Sequence, residues 1–454
     1  MSSDTLLARN RQRRGCVERL VLACRVAQDH QRSGSVRGTL LLPVGLFFFI
    51  GSLWCSPLWA EDSALVAQFH PYTQGPPRIP GLDPGVTVSR ANVQLAKDVL
   101  PAEVFQLVEA GDVDLLIQET TDLPPRASYI DATMQHAQGV SLNGGSALTN
   151  YIAGAPFPLL EPADPQAGEK LAWNLRFRDM GESFELRAHP QQVNPSGGVE
   201  HSNRGRMRSR FGMYRPNPAD NDLQWQARGI YLKNSFELLA PSDQEGNINL
   251  RTFYQDDNRA TEQWRYSPSN RRTRKDHVNF VSPIGGYYEM LQEEQPPFFF
   301  QGYIHEYTWE FRGARVMLVP GFLKTTELHF GGKNNWYPQV PWELRRVLVL
   351  DCTPRNSHPF GKRVFFLDQQ TYTPLLILTY NPEGAFIRLG IMAHTHPSAH
   401  PGSNGVALPV MVGGAWINYA KNRATLLSAG DSMTYNIPFP AQRFELMEIL
   451  RKGK

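Results

Sequence analysis

One short segment of the chain has residue types suited to binding an anion: EQWRYSPSNRRTRK, from Glu262 to Lys275. An aromatic stretch leads into a turn signal, and the cations Arg271, Arg272, Arg274 and Lys275 follow it. The planar guanidinium of arginine binds phosphate in a bidentate manner. Two interpretations are open. The segment is either the solvated end of a hairpin, or a rim at which Arg271, Arg272 and Arg274 contact an anionic headgroup.

A histidine cluster, HTHPSAH, offers the residue types of a metal site through His394, His396 and His400. Two histidines that are two residues apart on a strand share a face and can chelate a metal. The segment contains no acidic residue and is interrupted by proline, so it lacks the partners that orient metal ligands. We therefore expect adventitious binding rather than a native metal, and no cofactor.

The other catalytic residue types lack partners at useful spacing. Cys352 precedes His358, but no oriented base or oxyanion loop accompanies them, which favours a buried structural thiol. The acid pairs Asp256-Asp257 and Glu293-Glu294 lie in polar, turn-like stretches, which predicts a solvated surface. The sequence thus assigns no catalytic residue and favours a protein that is not an enzyme.

Aromatic residues are in surplus in QEEQPPFFFQGYIHEYTWEF, where three adjacent phenylalanines cannot all point to one face of a strand. A wall between a core and an apolar cavity explains this surplus. A sheet buried on both faces explains it equally well. In the first case the candidate lining residues are Trp264, Tyr266, Phe298, Phe299, Phe300, Tyr303, Trp309, Phe365 and Phe366.

The elements that must position these residues are mainly strands. Alternating runs begin near residue 184 and include IHEYTWEF and ARVMLVP as two separate strands, and the clearest are RRVLVLDC, KRVFFLDQ, TPLLILTYN and AFIRLGIMA. Turn signals separate them, which predicts an antiparallel meander without a βαβ rhythm. Two amphipathic helical pieces broken at Pro101 are predicted over residues 89–110, and a further helix over Gly168–Phe177.

The first 60 residues are typical of a leader. Eight arginines and three acids lie there, so the formal charge of +3 hides a body that is close to neutral, which disfavours nucleic-acid binding. The apolar run Thr39–Ala60 predicts a signal peptide, with an uncleaved anchor helix as the alternative. Because the polar stretch before it is long, we expect translation to start near Val36. Cys352 is the single cysteine beyond the leader, so no intrachain disulfide is expected in the mature chain.

Three stretches resemble a known family: NYIAGAPFPLLEPADPQAGEKLAWN, ELLAPSDQEGNINLRTFYQDDNRATEQWRYSPSNRRTRK and RVLVLDCTPRNSHPFGKRVFFLDQQTYTPLLILTYNPEGAFIR. They are similar to domain-of-unknown-function family 1329 of secreted Gram-negative proteins. The resemblance spans roughly Asn92 to Leu450. Its most specific part is the aromatic strand followed by Pro-x-x-Arg-Arg.

This resemblance implies an α+β, mostly antiparallel fold like that of the periplasmic lipoprotein carriers (LolA-like). Such a fold is a curved, incomplete β-barrel, a half-barrel whose concave face is covered by helices. The expected organisation is a leader at residues 1–60, an extended Pro/Gly-rich arm at 61–86 and a single domain at 87–454.

The resemblance also implies a periplasmic binding or shuttle protein for a lipid or other hydrophobic molecule. Its expected neighbours are an outer-membrane β-barrel protein and an RND-type transporter, and no nucleic acid is expected. A scaffold of an envelope transporter complex is the alternative, and a hydrolase acting on lipid or glycan is the least favoured. The family supplies no catalytic residues, and fold alone does not fix function.

Overall fold

The structure of the protein is a computed structural model that describes residues 64–144 and 147–452. The predicted leader and the first residues of the predicted arm lie outside this described part. The described residues belong to one compact unit. Within the described ranges no helix combines the length and the apolar character needed to cross a bilayer.

The helices beyond residue 86 are short. They are α1 (Ala102–Ala110), α2 (Ala127–His136), α3 (Ala167–Arg176), α4 (Leu223–Ala227) and α5 (Leu446–Lys452). A 3₁₀ turn at Val93–Ala96 precedes α1, and Pro101 separates the two. Gly111 ends α1 with a positive φ of 79°, which an L-residue rarely adopts. The predicted break at Pro101 and the predicted helix near Gly168 are both confirmed.

Three two-stranded ladders accompany the main sheet: β1 (Thr87–Val88) with β2 (Leu115–Leu116), β3 (Ser141–Leu142) with β4 (Leu148–Thr149), and β14 (Phe330–Gly331) with β15 (Tyr337–Pro338). The main sheet contains β5 (Ser183–Val193), β6 (Val199–Ser202), β7 (Arg204–Phe211), β8 (Ile230–Ala240), β9 (Ile248–Tyr254), β10 (Glu262–Ser267), β11 (Arg272–His277), β12 (Tyr307–Pro320), β13 (Phe322–Leu323), β16 (Trp342–Pro354), β17 (Lys362–Asp368), β18 (Pro374–Tyr380), β19 (Phe386–Thr395), β20 (Val410–Asn418), β21 (Arg423–Ser428) and β22 (Thr434–Tyr435).

The main sheet consists of two antiparallel meanders joined side by side. One runs from β5 through β7, β8, β9 and β10 to β11, and the other runs from β12 through β16 to β21. Strand β21 pairs with β5, so the meanders form one sheet whose outer strands are β11 and β12. These outer strands do not pair with each other, so the sheet is mostly antiparallel and is not a closed barrel. The predicted C-terminal meander is confirmed.

Two details of the strands differ from the sequence prediction. IHEYTWEF and ARVMLVP were expected to be separate strands, but both lie in β12, which has a bulge between Phe311 and Ala314. Strand β7 was not expected, because its residues RGRMRSRF contain four arginines. The strand forms because Arg206 and Arg208 pair across the sheet with Glu237 and Glu185.

Both faces of the C-terminal meander are buried. On β17, Phe365 and Leu367 point into one core, and Val364 and Phe366 point into another. The first face is covered by α3 and by residues 278–306, which connect β11 to β12. We call these residues the crossover segment and the face that they cover the crossover face. The opposite face is covered by α1 and the strands and turns around it. The helices therefore do not share a single face of the sheet.

The arm at residues 61–86 is more firmly held than its composition predicts. Residues 64–69 are helical, and the Phe69 side chain is fully buried in the crossover-face core. The hydroxyl of Tyr72 accepts a hydrogen bond of 3.0 Å from the backbone N–H of Arg346. The described part of the arm is thus anchored to the sheet by aromatic side chains.

Candidate functional site

The arginine-rich segment forms the predicted hairpin. Strands β10 and β11 pair antiparallel from Glu262 with His277 to Ser267 with Arg272. The turn closes with a hydrogen bond of 3.2 Å from the N–H of Arg271 to the carbonyl of Pro268. Arg271 has a φ of 49°, the left-handed conformation that ends such a turn. Among the described strands β11 pairs only with β10, so the hairpin is the outer edge of the sheet.

The two faces of this hairpin differ in chemistry. Tyr266 is buried and Trp264 is half-buried in a small core that also contains Phe444. Arg265 is exposed on the other face and lies directly across from Arg274. That other face is the crossover face, because Gln263 contacts Arg251, which in turn bonds to Gln292 and Gln295 of the crossover segment.

An open cleft of about 830 Å³ lies at this end of the sheet. It is lined by Leu238, Asn247, Asn249, Arg265, Tyr266, Ser267, Asn270, Arg272, Arg274, Lys275 and Asp276. Arg271 lies in the turn and is not part of the lining. Two of the three arginines predicted to contact a headgroup are thus brought together around one space.

The charges of the hairpin cleft are unevenly balanced. Arg265 forms an ion pair with Asp276, and Lys275 lies 3.1 Å from a carboxylate oxygen of Glu262. Arg272 and Arg274 are exposed, and no carboxylate in residues 64–144 and 147–452 pairs with either one. These two guanidinium groups are chemically suited to a phosphate or carboxylate ligand.

The aromatic lining candidates are not gathered in one place. Phe298, Phe299, Phe300, Trp309 and Phe365 are buried in the core of the crossover face, with Tyr303 at its margin. Phe366 lies in the core on the opposite side of the sheet, and Trp264 and Tyr266 lie in the third core. Phe300 packs edge-on against Trp309, with ring centroids 5.0 Å apart. Their role in binding a ligand stays a prediction, and in this structure they pack against one another.

The expectation that the acid pairs are solvated is wrong for Asp257, Glu293 and Glu294. Glu293 and Glu294 are 0% and 1% exposed, and Asp257 is 6% exposed. Arg363 lies 2.7 Å from Glu293, and Arg388 binds Glu294 with a hydrogen bond of 2.9 Å. The acids are buried because the sheet supplies partner cations that the sequence spacing does not reveal.

These buried charges join the crossover segment to β17 and β19. Burial alone would raise the pKa of Glu293, but Arg363 and His358 outweigh it and the pKa is lowered. One signal in the sequence marked the cations: Arg363 directly precedes the apolar run VFFL of β17, and Arg388 interrupts the apolar run FIRLGI of β19. A charge next to or within the apolar part of a buried strand requires a partner.

A second buried network lies on the opposite face. Arg345, Glu343 and Asp368 are fully buried, and Arg345 lies 2.8 Å from Asp368. Glu343 also accepts hydrogen bonds from the Gln118 amide at 2.6 Å and from the backbone N–H of Thr121 at 3.0 Å. This network fixes the segment around Gln118 and Thr121 to the sheet, so its role is structural.

Cys352 is held in a setting unsuited to nucleophilic chemistry. It is 0% exposed, and burial raises the pKa of its thiol to about 12. Both ring nitrogens of His358 are engaged, since Nδ1 accepts from the N–H of Phe360 and Nε2 faces Glu293 at 3.3 Å. The predicted burial of Cys352 on a strand is confirmed.

The three histidines of the predicted cluster have separate roles. His394 is buried, and burial lowers its pKa to about 3. His396 caps the turn at Ser398, and His400 bonds to the carbonyl of Gly430. Among residues 64–144 and 147–452, no three His, Cys, Asp or Glu side chains meet in a way that could hold a metal ion.

Comparison with solved structures gives remote likenesses. A DUF1329 family protein from Desulfovibrio piger is 14% identical with a TM-score of 0.44, and the alignment covers 63% of this chain and 100% of that one. A LolA superfamily protein from Nitrosomonas europaea is 10% identical with a TM-score of 0.37, covering 60% of this chain and 94% of that one. Likenesses at this level do not inform on a ligand.

Comparison with known sequences is more direct. An uncharacterized protein of Pseudomonas aeruginosa is 25% identical over 330 residues, which are 67% of this chain and 68% of that protein. The model of the DUF1329 family, described as proteins of unknown function, matches residues 87–448. This match spans most of the chain and includes the hairpin cleft, and the chain therefore belongs to the DUF1329 family.

Proposed function

We propose that this protein is a non-enzymatic binding protein of the periplasm whose hairpin cleft holds the acidic headgroup of a lipid. The observation that carries this proposal is the pair of exposed arginines, Arg272 and Arg274, that face one open cleft without a carboxylate partner in the described residues. The predicted leader supports export, and the near-neutral body makes this cationic patch a local feature.

The cleft is suited to a headgroup rather than to an acyl chain. Its lining is dominated by arginine, lysine, asparagine and serine side chains, and Leu238 and Tyr266 are its apolar members. A guanidinium group gives a phosphate two parallel hydrogen bonds, and an unpaired one requires no existing bond to break first. The ligand chemistry is therefore a phosphate or carboxylate group at the end of a larger molecule.

The packing of the crossover face bears on where the tail of such a lipid lies. Phe298, Phe299 and Phe300 fill this face and are at most 6% exposed. A tail would have to displace them or remain in its bilayer. The filled face therefore supports a second candidate function, a scaffold that docks on anionic membrane near an outer-membrane β-barrel protein and an RND-type transporter without extracting lipid.

Vesicle flotation tests the shared element of both functions. Wild-type protein should float with vesicles that contain phosphatidylglycerol and should stay behind with vesicles of phosphatidylcholine alone. Two surface arginines at about 1 kcal/mol each predict that Arg272→Ala with Arg274→Ala weakens binding roughly thirtyfold. Undiminished flotation of this double variant would refute the proposed site.

A matched control removes two other exposed cations, Arg90 and Lys97, which lie in the amino-terminal part of the domain. Their replacement by alanine makes the same change in net charge and should leave flotation unchanged. Extraction of purified mature protein with organic solvent then separates the two functions. Stoichiometric lipid indicates a carrier, and a lipid-free extract together with flotation indicates a scaffold.

A further inference from the structure

A second cleft, separate from the hairpin cleft, opens beside the crossover segment. Its volume is about 240 Å³. It is lined by Val278, Asn279, Phe280, Val281, Tyr303, Glu306, Tyr307, Pro354, Asn356, Ser357 and His358. The space is smaller than the ~300 Å³ at which pockets for drug-sized ligands begin, so it suits a small group.

Glu306 is the unsatisfied charge of this cleft. Its side chain is half-buried, and no hydrogen bond or ion pair engages its carboxylate within residues 64–144 and 147–452. Burial raises the pKa of this carboxyl group, and Glu293 and Asp257 add to the rise while His305 and His358 oppose it. A carboxylate held in this state gains from a cationic partner.

The cations near Glu306 are already committed to other acids. His305 lies 3.1 Å from Asp257, which is also 3.3 Å from Arg176. Arg363 and His358 face Glu293 at 2.7 and 3.3 Å.

Arg355 is similarly engaged, since it donates to the carbonyl of Tyr307 and lies 3.8 Å from Glu169. The described residues thus supply an ion-pair partner to each neighbouring acid and form no ion pair with Glu306.

Aromatic rings form the apolar part of the same cleft. Phe280 and Tyr303 meet edge to face with ring centroids 5.3 Å apart. Tyr303 is fixed in place because its hydroxyl accepts a hydrogen bond of 2.8 Å from the N–H of Thr261. Aromatic faces attract ammonium groups, and the attraction grows when the site is partly desolvated.

We propose that this cleft binds a small organic ammonium group, with Glu306 as its counter-ion and Phe280, Tyr303 and Tyr307 as its aromatic wall. The ligand is a primary or quaternary amine, either free or at the end of a larger molecule. The site is independent of the hairpin cleft, because none of its lining residues belongs to that cleft.

Ligand-observed NMR titrations of the mature protein test this proposal. The probes are tetramethylammonium and ethanolamine, and tert-butanol serves as a neutral molecule of similar shape. At least one ammonium probe should bind saturably, and tert-butanol should bind at least about tenfold more weakly. Absence of saturable binding by both ammonium probes, or equal binding of the neutral molecule, would overturn the proposal.

Variants locate the site. Glu306→Gln should weaken ammonium binding about tenfold or more and leave the thermal midpoint nearly unchanged, since no hydrogen bond or ion pair in the described part of the chain uses this carboxylate. Tyr303→Leu should weaken binding, and Tyr303→Phe, which keeps the ring but loses its hydrogen bond from Thr261, should weaken it less. The control Glu383→Gln removes an exposed acid elsewhere and should have no effect. Wild-type affinity in Glu306→Gln would place the ligand elsewhere and refute this site, whatever the hairpin variants do.

Discussion

The guanidinium of Arg363 lies 2.7 Å from the carboxylate of Glu293, and both side chains are at most 1% exposed. Arg363 belongs to β17, and Glu293 belongs to the crossover segment that covers this face of the sheet. The pair therefore fastens the crossover segment to a strand in the middle of the C-terminal meander. It holds in place the segment that carries Phe298–Phe300 and continues into the cleft at Glu306.

Glu293→Gln should strongly destabilise the protein. The substitution removes the nearest counter-ion of the buried Arg363 and leaves it with Glu294 alone, at 3.6 Å. Breaking a buried ion pair typically costs about 3–5 kcal/mol. Urea unfolding of the mature protein measures the loss in free energy of unfolding. Glu383→Gln removes an exposed acid and should change this free energy by less than about 0.5 kcal/mol. Similar stabilities for the two variants would contradict the assignment of Glu293 to a buried pair.

Acid should destabilise the native protein through the same carboxylate. The pKa of Glu293 is lowered in the fold below its ordinary value of 4.5, as is that of Glu343. The unfolded chain therefore binds more protons near pH 4, and stability falls as the pH drops from about 4.5 through the lowered values.

The variant Glu293→Gln lacks one of these two carboxyl groups, whose pKa values are lowered by folding. The slope of unfolding free energy against pH below 4.5 should be shallower by up to about 1.4 kcal/mol per pH unit. Urea unfolding at several pH values measures both slopes. Equal slopes in wild type and variant would show that the Glu293 pKa is not lowered by folding.

Cys352 should resist alkylation in the native state. Its thiol is fully buried, and its pKa of about 12 leaves little thiolate at pH 8. Peptide mapping after iodoacetamide treatment should find Cys352 unmodified in native protein and fully modified in urea. Rapid native labelling would mean that β16 opens to solvent, and the interpretation of a structural thiol would fail.

The sequence predicted the parts of the fold that depend on local pattern. The hairpin at Trp264–Tyr266 was predictable because a strand alternates its faces and the turn residues stand beside it. The four C-terminal strands were predictable for the same reason. Strand β7 was missed because the partners of Arg206 and Arg208 are distant in sequence, and only the folded sheet brings Glu237 and Glu185 next to them.

The candidate site was likewise predictable where it depends on local sequence and not where it depends on long-range contacts. Arg272 and Arg274 were identified from their clustering, but the sequence cannot show that Arg271 occupies a left-handed turn position outside the cleft. The burial of Glu293 was also hidden, since its turn-like surroundings resemble those of a surface loop. The pairing with Arg363, which is distant in sequence, overrides that local pattern. The one sign of this pairing in the sequence is the position of Arg363 beside the apolar residues of KRVFFLD.

Gly168→Ala should disrupt the packing of α3 on the sheet. Gly168 is the second residue of α3 and lies against the backbone of Trp309 in β12, so an added methyl group would overlap the Trp309 carbonyl. Because backbone cannot move aside as a flexible side chain can, we expect a loss of at least about 2 kcal/mol in the free energy of unfolding. Differential scanning calorimetry should show a lower thermal midpoint. Gly139→Ala is the matched control, because no atom lies within 4 Å of the methyl group it adds. A wild-type midpoint in Gly168→Ala would mean that α3 does not approach β12 this closely, and the covering of the crossover face by α3 would need revision.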